Sequence, residues 1–276
     1  MSRRMFLAGE NKRVMVVGSL KSCYREVIMR KEKFENRKLR EYMAELVVIA
    51  KIHSEYKEKF GIPRQSGLVK DLEARIIFEP EYRNPDAIRG IEEYSHLWLL
   101  WNFSKAKTDG FVPLVNPPRL GGKEKKGVFA TRSPFRPNSI GLSSVELVRV
   151  EMDEKLGPII VVGGADLLDE TPIYDIKPYL PYADIHMDAK GSFGECHKED
   201  RIPVVFPKEL LERLPEYLRA GACQVLEQDP RAAYNKKPDY IYGLTLGDYD
   251  IRFQVKDEVL SVCDVVARGE AFRKVK

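Results

Sequence analysis

The fold prediction depends on the segment Gly127-Val-Phe-Ala-Thr-Arg-Ser-Pro-Phe-Arg-Pro-Asn-Ser-Ile-Gly-Leu142. A short apolar run leads into Thr131-Arg-Ser133, and the prolines at 134 and 137 then fix φ at about −65° and remove two amide donors. Because a planar guanidinium pairs bidentately with carboxylate or phosphate, this stiff turn predicts a pre-shaped rim that binds an anionic or planar group. Residue chemistry alone leaves open the alternative of a proline-rich surface turn with solvated arginines.

Short strands are predicted on both sides of this segment. They cover Leu46–Ile52, 74–79, Ser95–Phe103, Val112–Leu114, Gly141–Glu151 and Pro158–Val162. Because helices do not alternate with them, a mainly β fold, an antiparallel or mixed barrel, is favoured over a doubly wound sheet. No G-x-G-x-x-G sequence follows a strand, so a Rossmann site is not supported. His96 and Trp98, inside an apolar run, are expected in the core.

Three regions are predicted along the chain. Residues 1–43 form a basic extension with twelve Lys or Arg against five Glu, and Lys21–Met43 has the spacing of an amphipathic helix. Either an RNA-attracting arm or a solvated helix packed on the domain would fit this pattern. Residues 44–190 form the barrel. Residues 203–276 form a small α+β domain, with helices over the leucines after Pro207 and over Pro215–Glu227, followed by three strands.

The composition excludes several classes of protein. Of 276 residues, 43% are apolar and 32% are charged, and no apolar run approaches the roughly 18 residues of a membrane span. No apolar segment follows the basic N-terminus as a secretory signal requires, so a cytoplasmic location without membrane association is expected. The four cysteines form no CxxC pair, which predicts neither disulfides nor a metal site. The net charge of +4 permits a nucleic-acid partner without requiring one.

A second group of polar residues lies in Gly163–Pro181. Its carboxylates are Asp166, Asp169 and Asp175, and acidic side chains suit ribose hydroxyls or a cationic ligand. Two of them could instead hold a metal in a nucleotide hydrolase.

Five ordered segments, with two more near the C-terminus, resemble the TsaA-like family of tRNA methyltransferases. They are Lys59-Phe-Gly-Ile-Pro-Arg-Gln65, Ser95-His-Leu-Trp-Leu-Leu100, Pro117-Pro-Arg-Leu-Gly-Gly122, Gly127–Gly141 and Asp175-Ile-Lys-Pro-Tyr-Leu-Pro181, followed by Asp229-Pro-Arg-Ala-Ala-Tyr234 and 242–253. The resemblance covers the chain from about Glu45 to its end and leaves the basic extension unexplained.

The resemblance implies a non-Rossmann β-barrel that works as a homodimer and binds S-adenosyl-L-methionine. The implied reaction is N6-methylation of threonylcarbamoyladenosine next to the anticodon of threonine tRNA. Cofactor-binding residues carried over from the family pattern are Pro63, Arg64, Gln65, Phe103, Ser104, Arg132, Leu142, Asp166, Leu167, Leu168 and Asp169. Ser104 departs from the pattern, in which a larger polar residue is expected.

The remaining functional residues are assigned to catalysis and to tRNA. Arg132 and Tyr234 are the catalytic candidates, with stacking of the C-terminal domain on the barrel as the alternative for Tyr234. Contacts to tRNA are expected from Lys123, Lys125, Lys126, Arg136, Arg231, Lys236 and Lys237. The rival hypothesis is a non-catalytic S-adenosyl-L-methionine sensor, or an RNA-binding protein, on the same barrel.

Overall fold

The computed structural model of the protein describes residues 45–106, 111–117, 124–192, 200–231 and 240–271. The predicted helix of the basic extension lies outside these residues. From Val47 onward the described chain forms one compact unit.

Six strands form the main sheet; burial alternates along β2, β3 and the first half of β6, whereas β7 is buried almost throughout. They are β1 (Ala50–His53), β2 (Glu73–Phe78), β3 (His96–Asn102), β6 (Ile140–Asp153), β7 (Gly157–Gly163) and β8 (Thr171–Pro178). The order is β1-β2-β7-β6-β3-β8, and β8 also pairs with β1, so the ring of antiparallel ladders closes as a barrel. The mainly β architecture predicted from the sequence is confirmed.

The inward face of the ring carries the first hydrophobic core. Leu97, Leu99 and Trp101 of β3 are buried there, as are Ala74 and Ile76 of β2. His96 and Trp98 occupy the other phase of β3: His96 is exposed and Trp98 half-buried, with its Nε1 donating to Asp184 at 2.9 Å. The expectation that these two residues lie in the core is therefore wrong.

A second sheet follows the barrel. Its strands are β9 (Val204–Val205), β10 (Tyr242–Leu246), β11 (Tyr249–Lys256) and β12 (Val259–Ala267), in the order β10-β11-β12-β9. The helices are α1 (Pro181–Asp184), α2 (Lys208–Leu211), α3 (Glu216–Glu227) and α4 (Arg268–Ala271), and a two-stranded ribbon pairs β4 (Leu114–Val115) with β5 (Lys126–Gly127).

The β1–β2 connection belongs to both halves of the molecule. Tyr56, Val69 and Leu72 lie in this connection, yet they are buried in the second core, with α3 and the C-terminal sheet. Gly221 of α3 makes the contact possible, because a Cβ at this position would lie 2.3 Å from the Leu72 side chain. The connection that precedes β2 is thus fixed by the C-terminal sheet as well as by the barrel.

Candidate functional site

A cavity of about 700 Å³ opens at one end of the barrel. It lies where β3 ends and where β6 and β8 begin. The β1–β2 connection and the 131–138 loop form its two raised walls. Its size falls within the range of about 300–1,000 Å³ that is common for small-molecule sites.

The 131–138 loop is braced by its own side chains. Thr131 Oγ1 donates to the Val128 carbonyl at 2.9 Å, Ser139 Oγ to the Pro134 carbonyl at 3.2 Å, and Arg136 Nη1 to the Thr131 carbonyl at 3.1 Å. Together with the two prolines, these bonds limit the conformations open to the loop. Arg136 therefore shapes the wall while its side chain also lines the cavity.

A chain of hydrogen bonds forms the floor. Trp101 Nε1 donates to Ser143 Oγ at 3.0 Å, and Ser143 Oγ donates to Asp166 Oδ1 at 2.6 Å. Gly141 lies opposite Trp101 in the β3–β6 ladder, and a Cβ there would come within 2.2 Å of the indole. Only glycine fits at position 141, because the Trp101 indole lies over the Gly141 Cα in order to donate to Ser143.

Asp166 supplies the carboxylate of the cavity. Burial raises the pKa of Asp166 above its ordinary value, whereas the hydrogen bond from Ser143 and the nearby charge of Arg132 lower it. Removing a carboxylate from water disfavours its charged form, and a bound cation would favour that form again. The site is therefore suited to a ligand that brings a positive charge to Asp166.

The cavity rim is basic. Arg132 Nη1 donates to Gln65 Oε1 at 2.5 Å and so connects the two walls. Lys59 Nζ donates to the Lys105 carbonyl at 2.6 Å. Arg64 lines the same rim. An anionic group beside the Asp166 ligand would find these cations around it.

Nine of the eleven residues predicted to bind the cofactor line this cavity. They are Pro63, Arg64, Gln65, Phe103, Ser104, Arg132, Leu142, Asp166 and Leu168. The side chains of Leu167 and Asp169 do not. Leu167 is fully buried in the barrel core, because inward positions alternate along this segment. Asp169 binds Lys57 Nζ at 2.8 Å and accepts from the Ser54 amide at 3.1 Å.

The residues predicted to contact tRNA have different surroundings. Lys125 is exposed, and Lys126 pairs with Glu124 at 2.5 Å. Arg231 is only 7% exposed and bonds both oxygens of Asp229, at 2.8 and 2.9 Å, so a phosphate-binding role for this side chain is contradicted. Lys123, Lys236, Lys237 and the catalytic candidate Tyr234 lie outside the described residues.

Sequence reasoning missed several cavity residues. Trp101 and Ser143 of the floor were not singled out, nor were Lys59 and Lys105 of the rim. One signal was available in the sequence: small residues occupy alternate positions at the start of β6, at Gly141 and Ser143. Such a pattern indicates that a large side chain of the neighbouring strand packs over them.

Fold and site together define a class: a mainly β, non-Rossmann protein with a cavity at one end of its barrel that combines a half-buried carboxylate with a basic rim. Among the described residues, no cluster of three or more metal-ligating side chains occurs. None of the described helices is long and apolar enough to cross a membrane.

Comparison with known proteins identifies the family. The chain belongs to the TrmO family: residues 51–185 match the tRNA-methyltransferase O N-terminal domain, and residues 199–268 match the TrmO C-terminal domain. It is 43% identical over 217 residues to the tRNA (adenine(37)-N6)-methyltransferase of Escherichia coli, covering 76% of this chain and 92% of that protein.

Two further relatives extend the comparison. A probable S-adenosyl-L-methionine-binding protein of Pyrococcus abyssi is 38% identical over 174 residues, covering 58% of this chain and 89% of that protein. The crystal structure of TrmO from Pseudomonas aeruginosa superposes with a TM-score of 0.65 at 33% identity, covering 82% of this chain and 100% of that one.

Proposed function

We propose that this protein is an S-adenosyl-L-methionine-dependent tRNA methyltransferase, and that its substrate is N6-threonylcarbamoyladenosine next to the anticodon of threonine tRNA. The observation that carries the proposal is the single cavity into which four separate segments bring nine residues of the family pattern. The name of the Escherichia coli relative, a tRNA (adenine(37)-N6)-methyltransferase, supports the class of reaction.

The cofactor is S-adenosyl-L-methionine, which carries a sulfonium cation and supplies an activated methyl group when bound. The cavity residues fit it. Asp166 offers a carboxylate to the cation, and Phe103, Leu142 and Leu168 offer apolar surface to the uncharged parts. Because Ser143 already donates to Oδ1, the Asp166 carboxylate is held in one orientation.

Arg132 and Arg136, which both line the cavity, are proposed to bind the acceptor. A threonylcarbamoyl group carries a carboxylate, and a guanidinium binds a carboxylate with two parallel hydrogen bonds. Arg132 is exposed at the rim, and its hydrogen-bond acceptor, the Gln65 side-chain amide, is uncharged. Exchange of that amide for a carboxylate would strengthen the bond and draw the substituted base toward Asp166.

The described residues are proposed mainly to align the methyl donor with the acceptor. Holding two reactants in line within a closed cavity replaces a bimolecular encounter and can account for several kcal/mol of the barrier. The braced 131–138 loop and the Trp101–Ser143–Asp166 chain provide this rigidity. Tyr234 stays the sequence-based proposal for a catalytic group.

The remaining assignments are part of the same proposal. Lys125 and Lys126, with Lys123, Lys236 and Lys237, are proposed to hold phosphates of the tRNA, a contact that positions RNA without reading its sequence. A homodimer, a cytoplasmic location and the domain limits 44–190 and 203–276 stay predictions.

Mass spectrometry of nucleosides tests the proposal. Threonine tRNA, with and without prior threonylcarbamoylation, is incubated with the protein and S-adenosyl-L-methionine and then digested. We expect one added methyl group on threonylcarbamoyladenosine and none on unmodified adenosine. Donor binding without methylation of either tRNA would refute the proposal in favour of a sensor, and methylation of both would refute the substrate assignment.

A further inference from the structure

A second cavity, of about 490 Å³, adjoins the first. The two cavities share one wall, which is formed by Lys59, Ile62, Pro63 and Arg64 of the β1–β2 connection. The opposite wall of the second cavity belongs to the C-terminal domain, from the end of α3 and the beginning of β10. It therefore lies between the barrel and the domain that follows it. Of the residues assigned to the cofactor only Pro63 and Arg64 reach it, so cofactor binding does not account for the rest of its lining.

An aromatic pair lines this second cavity. Tyr240 is 50% exposed, and its ring lies 4.8 Å from the ring of Tyr242 in an edge-on arrangement. Tyr242 is itself buried, stacked on Phe253 at 5.5 Å and covered by the Arg231 guanidinium at 6.0 Å. Tyr240 is thus an accessible aromatic surface held on a rigid base, which is how single-stranded nucleic-acid sites present stacking surfaces.

The polar groups of the second cavity suit an uncharged ring. Arg231 and Asp229 neutralise each other through two hydrogen bonds, so this pair presents little net charge. Gln228 lines the cavity half-buried, and its side-chain amide makes no hydrogen bond within the described part of the chain. An amide offers both a donor and an acceptor, the pair of groups that matches the edge of a nucleobase.

Arg64 marks the boundary between the two cavities. It lines both, and its Nη2 donates to the Asp229 carbonyl at 3.3 Å across the gap between the domains. A planar guanidinium at this position can stack between two splayed bases, as arginine does in many RNA complexes. Lys59, which also lines both cavities, is placed to meet the phosphate that joins two such nucleotides.

We propose that the second cavity binds the base of the nucleotide adjacent to the acceptor adenosine. This inference rests on the proposed function, since it requires the modified adenosine to enter the first cavity. Tyr240 stacks on the neighbouring base, Gln228 binds its edge and Arg64 separates it from the acceptor. The two cavities then recognise an unstacked dinucleotide rather than a single base, which is the form in which proteins usually read single-stranded RNA.

Turnover of anticodon stem-loop RNAs tests the inference. The substrates are the threonylcarbamoylated stem-loop and two versions with an abasic site immediately 5′ or 3′ of the acceptor. One of the abasic RNAs should lose about tenfold to a hundredfold in kcat/KM, as expected for one stacked base. Tyr240→Ala should lower kcat/KM on the intact RNA by a similar factor. On the sensitive abasic RNA its kcat/KM should equal that of the native protein, and Tyr240→Phe should behave as the native protein on every RNA.

The matched control is Tyr182→Ala. Tyr182 is 86% exposed on α1, which follows the end of β8 distant from the cavity, and its removal should leave all three rates unchanged. Independent, multiplicative losses for Tyr240→Ala and the abasic site would overturn the inference, as would equal rates on all three RNAs.

A binding measurement separates this inference from the proposed function. The fluorescence of a stem-loop that carries 2-aminopurine beside the acceptor should change when the native protein binds it. The same change should occur with Tyr182→Ala and should be absent with Tyr240→Ala. This result without any methylation would retain the base pocket and reject the enzyme. Methylation with no fluorescence change at either flanking position would retain the enzyme and reject the pocket, and the absence of both would reject the two together.

Discussion

Removal of the Ser143 hydroxyl tests the hydrogen-bonded floor of the cavity. Ser143 is 1% exposed, receives the Trp101 indole N–H and donates to Asp166. In Ser143→Ala, a buried indole donor is left without its partner, at a cost of about 1–3 kcal/mol. Loss of the bond to the carboxylate adds to this, so we expect the free energy of unfolding to fall by about 2–4 kcal/mol at neutral pH.

Urea unfolding of the full chain measures this loss. The midpoint should fall by about 1 M, since the slope for a domain of this size is roughly 2–3 kcal/mol per M. The control is Ser144→Ala on the opposite face of β6, because the Ser144 side chain makes no hydrogen bond with the described residues. That change should cost less than about 0.5 kcal/mol.

The pH dependence adds a second criterion. Burial raises the pKa of Asp166 in the folded protein, and the Ser143 hydrogen bond opposes that rise. A group with a raised folded pKa contributes stability that is present below its unfolded pKa and is lost as the pH rises through the folded value. Ser143→Ala raises the pKa of Asp166 further, so its deficit should be larger at pH 7 than below about pH 4. A pH-independent deficit, or one equal to that of Ser144→Ala, would refute the role assigned to the floor.

Three further changes test the cavity. Because only the ionised carboxylate attracts a cation, we expect the native protein to lose affinity for S-adenosyl-L-methionine on acidification, and Asp166→Asn to bind more weakly and without that pH dependence. Calorimetric titration across pH measures this, and a native affinity independent of pH would contradict it. Gly141→Ala should cost about 1–3 kcal/mol of stability and shift tryptophan emission, because the new Cβ meets the Trp101 indole, whereas Gly127→Ala, which meets no atom within 4 Å, should leave both unchanged. Arg132→Ala should lower kcat/KM for modified tRNA about tenfold to a hundredfold without changing the melting temperature. The control is Arg89→Ala, which removes an exposed ion pair with Asp86 and should keep native activity. Native activity of Arg132→Ala would show that Arg132 is not part of the site.

Local sequence patterns predicted strands and helices well where glycine, proline or polar residues marked the ends of an element. Strand β6 was expected at Gly141–Glu151 and spans Ile140–Asp153, and helix α3 was expected to end at Glu227, where it does. The stiffness of the 131–138 loop followed from its prolines. Strand β8 was missed, because its prolines and charged residues obscure the alternation that its inward residues Thr171 and Ile173 keep.

Long-range packing determines which side chains are buried at positions where local sequence patterns do not distinguish them. Every position from Leu97 to Trp101 is apolar, so alternation could not reveal which face of β3 is inward; only pairing with Gly141 and Ser143 determines it. The Arg231 prediction failed for a different reason. Asp229 has a left-handed φ of 45°, and its carboxylate accepts from both the backbone amide and the guanidinium of Arg231. A basic residue that looks available in sequence was thereby removed from the surface.

The shared β1–β2 connection links the stability of one wall of the first cavity to the C-terminal sheet. Pro63, Arg64 and Gln65 stand in a connection whose Tyr56, Val69 and Leu72 are buried with α3 and not inside the barrel. Amide hydrogens in this wall should therefore exchange with the kinetics of the C-terminal sheet, since cooperative units follow packing and not chain order. This wall of the barrel cavity is therefore expected to unfold together with the C-terminal sheet, so a change that loosens that sheet should also loosen Pro63, Arg64 and Gln65.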